Sequence, residues 1–238
     1  MNATKKPTSQ GRPAGGPFSF QADDMNMSGK DIKLLVATGN IGKLRELRQL
    51  LAHVPVTLLS LNEVDAGPEV EETGTTFDEN AVLKAIGYSR RTGLLTMADD
   101  SGLAVDALGG APGVFSARYG SEYLGYPEKM KLLLDEIDLA DAGRRARFVC
   151  SIALSSPAGE MIFTSQGVCE GRIAEEPRGS LGFGYDPIFI PDGHDGTFGE
   201  LSADVKAEIS HRARAVEKFV RYFLDFIEVR LDRTIIGL

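Results

Sequence analysis

The stretch that decides the fold is IKLLVATGNIGKLRELRQLLAHVPVTLLSL, residues 32–61. It begins with a short apolar run that ends in the tripeptide TGN, which is typical of a buried strand followed by a turn. Leu44, Leu47 and Leu51 then recur at helical spacing among charged residues and predict an amphipathic helix. A second apolar run, VTLLSL, closes the stretch. A strand, a helix and a strand in this order predict a parallel pair of strands with a right-handed crossover.

The rest of the chain continues this alternation of strands and helices. Thr76 and Glu79 match a capping box, so we expect a helix that runs to residue 91 or 92 and stops at Gly93. The sequence DDSG is placed between two short strands, and SPAG is interpreted as the turn of a hairpin. The further elements expected are strands at 94–98, 103–108, 147–155, 161–173 and 188–190, a helix at 127–137, and a long apolar helix that begins at residues 210–212. The predicted fold class is α/β with a mixed sheet.

The charge balance argues against a nucleic-acid or membrane partner. The chain has 26 Lys and Arg against 34 Asp and Glu, which gives a net charge of −8 and a pI near 5.0. A protein that binds polyanions non-specifically needs a surplus of cations. No apolar run approaches the roughly 18 to 20 residues of a membrane span. We therefore expect neither a nucleic-acid polymer nor a membrane as partner.

The first 30 residues and the two cysteines bear on processing and compartment. Residues 1–30 are rich in Gly, Pro, Ser and Asn without periodicity, which predicts a disordered leader or an expression remnant rather than a secretory signal. Residues 31–238 are then expected to form one domain. Cys150 and Cys169 are too few for a disulfide framework and lie in apolar segments. They are interpreted as buried thiols of a cytoplasmic protein.

The segment TGNIGK, residues 38–43, is a candidate phosphate site. The free N–H groups at the start of a helix attract anions, the two glycines let the backbone approach a ligand, and the lysine adds a full charge. It is not a P-loop, because Leu44 stands where that motif requires Ser or Thr. A plain strand-to-helix turn with a solvated lysine is the alternative.

The motif DDSG, residues 99–102, is a candidate metal or catalytic site. Two adjacent carboxylates follow an apolar strand, and ligands of α/β proteins bind beyond the carboxyl ends of the strands. Hard oxygen ligands suit Mg²⁺, which takes one or two carboxylates and bridges to substrate phosphates. Glu71 and Glu72 offer a further oxygen. Asn80 and Lys84 share one side of the capped helix. An ordinary Asp-Ser-Gly turn and an ordinary polar helix face are the alternatives.

Two later segments offer groups that recognise a base. In FGYDP, residues 183–187, aromatic faces can stack on a purine and the carboxylate can bind a base edge, with a packed turn as the alternative. His211 and Arg212 begin the last helix, one turn after Lys206, and offer donors to a phosphate or a carbonyl. Nucleophilic acyl transfer is poorly supported, because no Gly-x-Ser-x-Gly elbow occurs and Cys150 has no neighbouring histidine.

Taken together, these segments resemble the inosine/xanthosine triphosphate pyrophosphatases, a family that acts on non-canonical purine nucleoside triphosphates. The similar segments are ATGNIGKLREL, EETGTTFDENAVLKA, ADDSGLAVDALGGAPGVFSARYG, GFGYDPIF and SHRARA. Any single one is weak, but five in the same order across the chain from Ile32 onward make the resemblance specific. Residues 1–30 have no counterpart in it.

The resemblance implies an elongated α/β fold of two lobes, with a nucleotide cleft between them and usually a homodimer. It implies Mg²⁺-dependent hydrolysis of ITP, dITP and XTP to the monophosphate and pyrophosphate. Asp100 would be the catalytic acid–base residue and, together with Glu72, a metal ligand. The substrate-binding residues implied are Thr38, Gly39, Asn40, Ile41, Gly42, Lys43, Lys84, Ser101, Phe183, Gly184, Tyr185, Asp186, Lys206, His211 and Arg212.

Several chemical points stay open in the sequence. An ordinary aspartate, with a pKa of about 3.9, is a weak base at neutral pH, so Asp100 is expected to act on a water made more acidic by the metal. Asp100 as a metal ligand only, or a part for Asp99, are the alternatives. Donors such as Arg212 and His211 are expected to select a 6-oxo purine over adenine. The alternative functions are a pyrophosphatase for other nucleotides, such as modified pyrimidine triphosphates, and a nucleotide-binding regulatory module without turnover.

Overall fold

The fold, described by a computed structural model, is built on one six-stranded sheet flanked by helices. The structure describes residues 32–236, with side chains up to residue 228. The leader predicted at residues 1–30 lies outside the described residues. In chain order the elements are β1 (Lys33–Ala37), α1 (Ile41–Leu50), β2 (Thr57–Ser60), α2 (Phe77–Thr92), β3 (Leu95–Val105), α3 (Tyr126–Ala140), β4 (Arg145–Ser155), β5 (Met161–Ile173), β6 (Phe189–Pro191), α4 (Ala203–Ile209) and α5 (His211–Ile236).

The sheet changes from parallel to antiparallel pairing at β3. Its strand order is β2-β1-β3-β4-β5-β6. β2, β1 and β3 run parallel, whereas β3, β4, β5 and β6 pair antiparallel. This confirms the α/β class, the mixed sheet and the parallel pair predicted from the opening stretch. The last paired residues of β1 and β3 are Ala37 and Ala98, so β3 extends past the end of β1 and its next residues border an open crevice.

Apolar packing covers both faces of the sheet. Leu34 and Val36 of β1 face α1 and α5, while the alternate residues Leu35 and Ala37 face α2, as the two-residue period of a strand requires. A third cluster, which includes Leu133 of α3, covers the antiparallel end. The division into two lobes and the bounds of the domain stay predictions.

The expectation that DDSG separates two short strands was wrong, and the alternative of an Asp-Ser-Gly turn is excluded. Residues 99–102 continue β3 and pair with β4, from Asp99 opposite Ile152 to Gly102 opposite Val149. Gly102 is needed because a Cβ there would lie 2.3 Å from Ser116 Oγ of the following loop. The carboxylates are tolerated inside a buried strand because cations from other elements pair with them, as described below.

The capping box predicted for α2 is confirmed. Thr76 Oγ1 accepts a hydrogen bond from Glu79 N at 3.2 Å, and Glu79 Oε2 accepts one from Thr76 N at 3.1 Å. The helix ends at Gly93, whose φ of 64° is left-handed. Because α2 begins at a defined residue, the buried face that carries Asn80 and Lys84 is fixed against β3.

Two further expectations concern the whole described chain. Cys150 and Cys169 are both buried and unpaired, which confirms their interpretation as buried thiols. Among residues 32–236, no helix has the length and apolar character needed to cross a bilayer.

Candidate active site

A cleft opens where β3 passes the end of β1, and most of the residues singled out in the sequence line it. It receives side chains from the β1–α1 turn, α2, β3, the loop after β3, the 183–186 loop and the start of α5. The lining residues among those singled out are Thr38, Gly39, Asn40, Lys43, Glu72, Lys84, Asp100, Ser101, Phe183, Gly184, Tyr185, Asp186, Lys206, His211 and Arg212. Ile41 and Gly42 lie instead along an adjoining cavity between α1 and α4.

The β1–α1 turn is organised by its own side chains. Asn40 caps α1, and its Oδ1 accepts a hydrogen bond from Lys43 N at 3.1 Å. Thr38 Oγ1 accepts one from Asn40 N at 3.2 Å. A Cβ at Gly42 would lie 2.6 Å from the Phe183 ring, so this glycine lets the two loops approach. The turn therefore presents a helix N-terminus and Lys43 to the cleft, as an anion site requires.

Asp99 and Asp100 point to opposite faces of the sheet, because successive side chains of a strand alternate. Asp99 meets cations from α1 and α5. Asp100 meets α2. Two neighbouring carboxylates therefore belong to two separate ion clusters, which we call the Asp99 chain and the Asp100 cluster and define below.

The Asp100 cluster consists of Asp100, Glu72 and Lys84. Lys84 Nζ lies 3.0 Å from Asp100 Oδ1 and 2.7 Å from Glu72 Oε1. Asn80 Nδ2 donates to Asp100 Oδ2 at 3.3 Å, and Asn80 Oδ1 accepts from Gly74 N at 2.8 Å, so one amide ties the Glu72 loop to the strand. With two carboxylates and one ammonium, the cluster has a formal charge of −1.

The environment raises the pKa of Asp100 above that of an ordinary aspartate. Burial is the main cause; Lys84 and Lys43 oppose it, and Glu72 adds to it. Burial lowers the pKa of Lys84, but Asp100 and Glu72 outweigh burial and raise it, so the ammonium stays charged. A carboxylate with a raised pKa in a cleft is a candidate general base.

The Asp99 chain is a continuous row of alternating charges, in the order Lys43, Asp99, Arg212, Glu46, Lys206 and Asp186. Lys43 Nζ lies 2.9 Å from Asp99 Oδ1, and Arg212 Nε lies 3.1 Å from Asp99 Oδ2. Glu46 then pairs with Arg212 and, at 2.7 Å, with Lys206 Nζ, which also pairs with Asp186. With three cations and three carboxylates, the formal charge of the chain is zero. The chain links the β1–α1 turn to the 183–186 loop.

The pKa values of the two buried aspartates in this chain shift in opposite directions. Burial alone would raise the pKa of Asp99, but Arg212 and Lys43 hold it well below the ordinary range. Burial raises the pKa of Asp186, and Lys206 opposes it. Glu46 is the one member of the chain that sequence reasoning missed. Its position three residues after Lys43 on α1 puts both on one helix face, which was the only signal available.

The 183–186 loop forms an aromatic wall beside the ion chain. Asp186 Oδ2 accepts a hydrogen bond from Phe183 N at 2.7 Å, which closes the loop. Lys206 Nζ lies 4.8 Å and Arg212 Cζ 5.8 Å from the centroid of the Phe183 ring. Tyr185 is buried and donates from its hydroxyl to Ser116 O at 3.0 Å, so its hydroxyl fixes the neighbouring loop. The wall offers an aromatic face edged by cations.

His211 is a buried polar group that lines the cleft. Its ring stacks on Phe148 with centroids 4.7 Å apart, and its Nδ1 is buried without a hydrogen-bond partner among the described residues. Burial, followed by the charges of Arg212 and Lys206, lowers its pKa well below that of an ordinary histidine. Arg212 also donates to Ser101 Oγ at 2.7 Å. A neutral imidazole with an unused nitrogen is suited to pair with a ligand.

The chain is similar to known proteins over most of its length. The model of the Ham1 family matches residues 34–222. A dITP/XTP pyrophosphatase of Bacillus licheniformis is 47% identical over 187 residues, which cover 78% of this chain and 95% of that protein. One of Bacillus subtilis is 46% identical over 185 residues, with 77% and 93% covered.

Solved structures are similar over the same part of the chain. A HAM1 protein from Coxiella burnetii matches with a TM-score of 0.76 at 40% identity and covers 82% of this chain and 99% of its own. The Ham1 protein of Staphylococcus aureus matches with a TM-score of 0.72 at 36% identity, with 81% and 98% covered. The mixed sheet, the segments around the cleft and these relatives agree, and the chain belongs to the Ham1 family.

Proposed function

We propose that the protein hydrolyses ITP, dITP and XTP to the nucleoside monophosphate and pyrophosphate. The observation that carries the proposal is the cleft in which the carboxylate of Asp100 lies between a cationic helix turn and an aromatic wall. The relatives at 47% and 46% identity are named dITP/XTP pyrophosphatases, which supports the same substrate class. A regulatory module without turnover has no use for a carboxylate of this kind.

In the proposed reaction, a water oxygen attacks the α-phosphorus of the triphosphate. The bond from that phosphorus to the α,β-bridging oxygen breaks, and its electron pair leaves with pyrophosphate. The attacking water gives one proton to Asp100, a buried carboxylate of the cleft that Asn80 and Lys84 hold in place. Lys43 and Lys84 bind the phosphate oxygens on which negative charge grows. Thr38 and Asn40 hold the turn that presents the backbone N–H groups.

The Asp100 cluster fits a magnesium ion. Asp100 Oδ1 and Glu72 Oε1 already converge on one ammonium, at 3.0 and 2.7 Å, so two hard oxygen donors face a common cation. This suits Mg²⁺, which takes one or two carboxylates and completes its shell with water and phosphate oxygens. When bound, the ion supplies positive charge to the triphosphate.

Base selection follows from the unpaired His211 and the ordered Arg212. Arg212 uses its Nε for Asp99, one terminal nitrogen for Glu46 and the other for Ser101, so its plane is fixed. A purine stacked on the Phe183 ring would present its 6-position to these donors. A 6-oxo group accepts from them, whereas the amino group of adenine would leave a buried donor unpaired, at a cost of about 1 to 3 kcal/mol.

The test is a panel of ITP, dITP, XTP, GTP, ATP and a modified pyrimidine triphosphate, with and without Mg²⁺ and with pyrophosphate as readout. We expect release of pyrophosphate from ITP, dITP and XTP only, and only when Mg²⁺ is present. Binding of ITP without release of pyrophosphate would show that the protein is a nucleotide-binding regulatory module. Faster turnover of the pyrimidine nucleotide would show that it is a pyrophosphatase for modified pyrimidine triphosphates.

The proposed place of this reaction is the cytoplasm. Its nucleotide pool supplies the substrates, and a reducing environment suits the two unpaired thiols. A homodimer is proposed on the family resemblance alone, and the oligomeric state is measured by light scattering.

A further inference from the structure

Most of the cations that line the cleft are already paired with carboxylates. Its cations Lys43, Lys84, Lys206 and Arg212 each pair with a carboxylate. The carboxylates that pair with these four cations are Glu46, Glu72, Asp99, Asp100 and Asp186. Beyond the charge that Lys43, Lys84 and a magnesium ion would supply, a ligand with about four negative charges favours a further cation that has no carboxylate partner.

Arg118 is the exception among the cations that line this cleft. It lies on the exposed end of a 3-10 turn, Gly113–Arg118, in the loop after β3. Within the described residues it has no carboxylate partner, and its guanidinium lies 4.9 Å from the centroid of the half-exposed Phe115 ring. Its charge is therefore available to a ligand, and its planar fork suits phosphate oxygens.

The backbone that carries Arg118 is held by hydrogen bonds to β3, to the 183–186 loop and to α3. Ser116 Oγ accepts from Leu103 N at 2.9 Å, three residues after Asp100 in β3. Tyr185 Oη donates to Ser116 O at 3.0 Å, and Lys129 Nζ, which is buried, donates to Ala117 O at 2.7 Å. The backbone of Arg118 is therefore fixed, while its exposed side chain is free to bind a ligand at the rim of the cleft.

We propose that Arg118 binds the pyrophosphate moiety of the triphosphate, that is, its β- and γ-phosphates. The proposal rests on the proposed function, because it assumes that a triphosphate occupies the cleft. The Phe183 wall and the Asp99 chain already provide the groups that would bind the base. A neutral base also offers no negative charge to the guanidinium of Arg118. The two terminal phosphates carry most of the ligand's charge.

The test compares Arg118→Ala with the matched control Arg45→Ala. Arg45 is also an exposed arginine without a described ion pair, but it lines the adjoining cavity and not the cleft. For Arg118→Ala we expect the KM for ITP and the Kd for free pyrophosphate each to rise about 10-fold or more, as for the loss of a charge-assisted hydrogen bond. The Kd for IMP, which lacks these phosphates, should not change. Arg118→Lys should recover part of the loss.

Two outcomes would contradict this proposal. If Arg45→Ala weakens pyrophosphate binding as much as Arg118→Ala does, the effect comes from the overall positive charge of the protein surface, and the proposal is wrong. If IMP binding falls together with pyrophosphate binding, Arg118 acts on the nucleotide end or on the fold, and the proposal is wrong. Calorimetric titration with pyrophosphate needs no turnover, so it tests Arg118 even where the wild-type protein fails to hydrolyse ITP and the proposed function fails.

Discussion

Asp99 and Asp100 are neighbours in one strand, yet their surroundings are opposite. Asp99 is buried between Lys43 and Arg212, in a chain of three cations and three carboxylates. Asp100 shares one ammonium with Glu72 and keeps a surplus negative charge. The pKa of Asp99 lies far below the ordinary range, and that of Asp100 lies above it. Both carboxylates are buried, but two cations outweigh burial at Asp99, whereas burial outweighs the one shared ammonium at Asp100.

The largest effect is expected for Asp100→Asn. The change keeps the shape and removes the base, so kcat for ITP should fall about 1,000-fold. The folded state raises the pKa of Asp100, so ionisation at neutral pH opposes folding, and the variant should melt no lower than the wild type. Pyrophosphate release and thermal unfolding, measured on one sample, check both parts. Near-normal turnover would remove Asp100 from the chemistry.

The second largest effect is expected for Asp99→Asn, and it should fall on stability. The variant leaves Lys43 without its carboxylate and Arg212 with one partner fewer in a fully buried site. Loss of one partner in a buried ion cluster costs about 3 kcal/mol. Urea unfolding at pH 7 measures it. Equal unfolding free energies for Asp99→Asn and Asp100→Asn would show that the two clusters do not differ as described.

The sequence predicted the elements of both clusters but not their separation. The apolar runs, the capping box of α2 and the hairpin of β4 and β5 follow from local patterns, and they are present. DDSG resembles a turn because nothing local shows the cations that pair with its carboxylates inside a buried strand. Glu46 meets Arg212, 166 residues later in the chain, so its role depends on tertiary packing. Patterns of a few residues report local geometry, and charge balance is a property of the assembled site.

A third, smaller effect concerns protonation beside the balanced chain. His211 is buried near Arg212 and Lys206, and its pKa is well below 6.5 in the folded state. Below pH 6.5 the unfolded chain binds a proton at this residue and the folded chain does not, so stability falls as the pH is lowered. The contribution reaches about 1.4 kcal/mol per pH unit.

His211→Gln should remove this contribution, so that the unfolding free energy changes less between pH 7.5 and 5.5 than in the wild type. The matched control is His53→Gln, which changes an exposed histidine outside the cleft and should keep the wild-type slope. An unchanged slope in His211→Gln would mean that the balanced chain does accept a further positive charge.

The smallest effect is expected for Cys150→Ala, and it tests what holds Asp99. Cys150 Sγ is fully buried and lies 3.1 Å from Asp99 Oδ2, where it can donate a weak hydrogen bond. Burial, and then the charge of Asp99, raises the pKa of this thiol, so it stays protonated and cannot add a second negative charge. If ion pairs hold Asp99, losing the thiol should cost only about 1 kcal/mol, from one weak bond and a small void. Cys150→Ser, whose hydroxyl also donates, should recover the hydrogen-bond part of that loss in urea unfolding. A cost for Cys150→Ala as large as that of Asp99→Asn would instead assign the stability of the Asp99 chain to the thiol, because both cations remain in place in the cysteine variant.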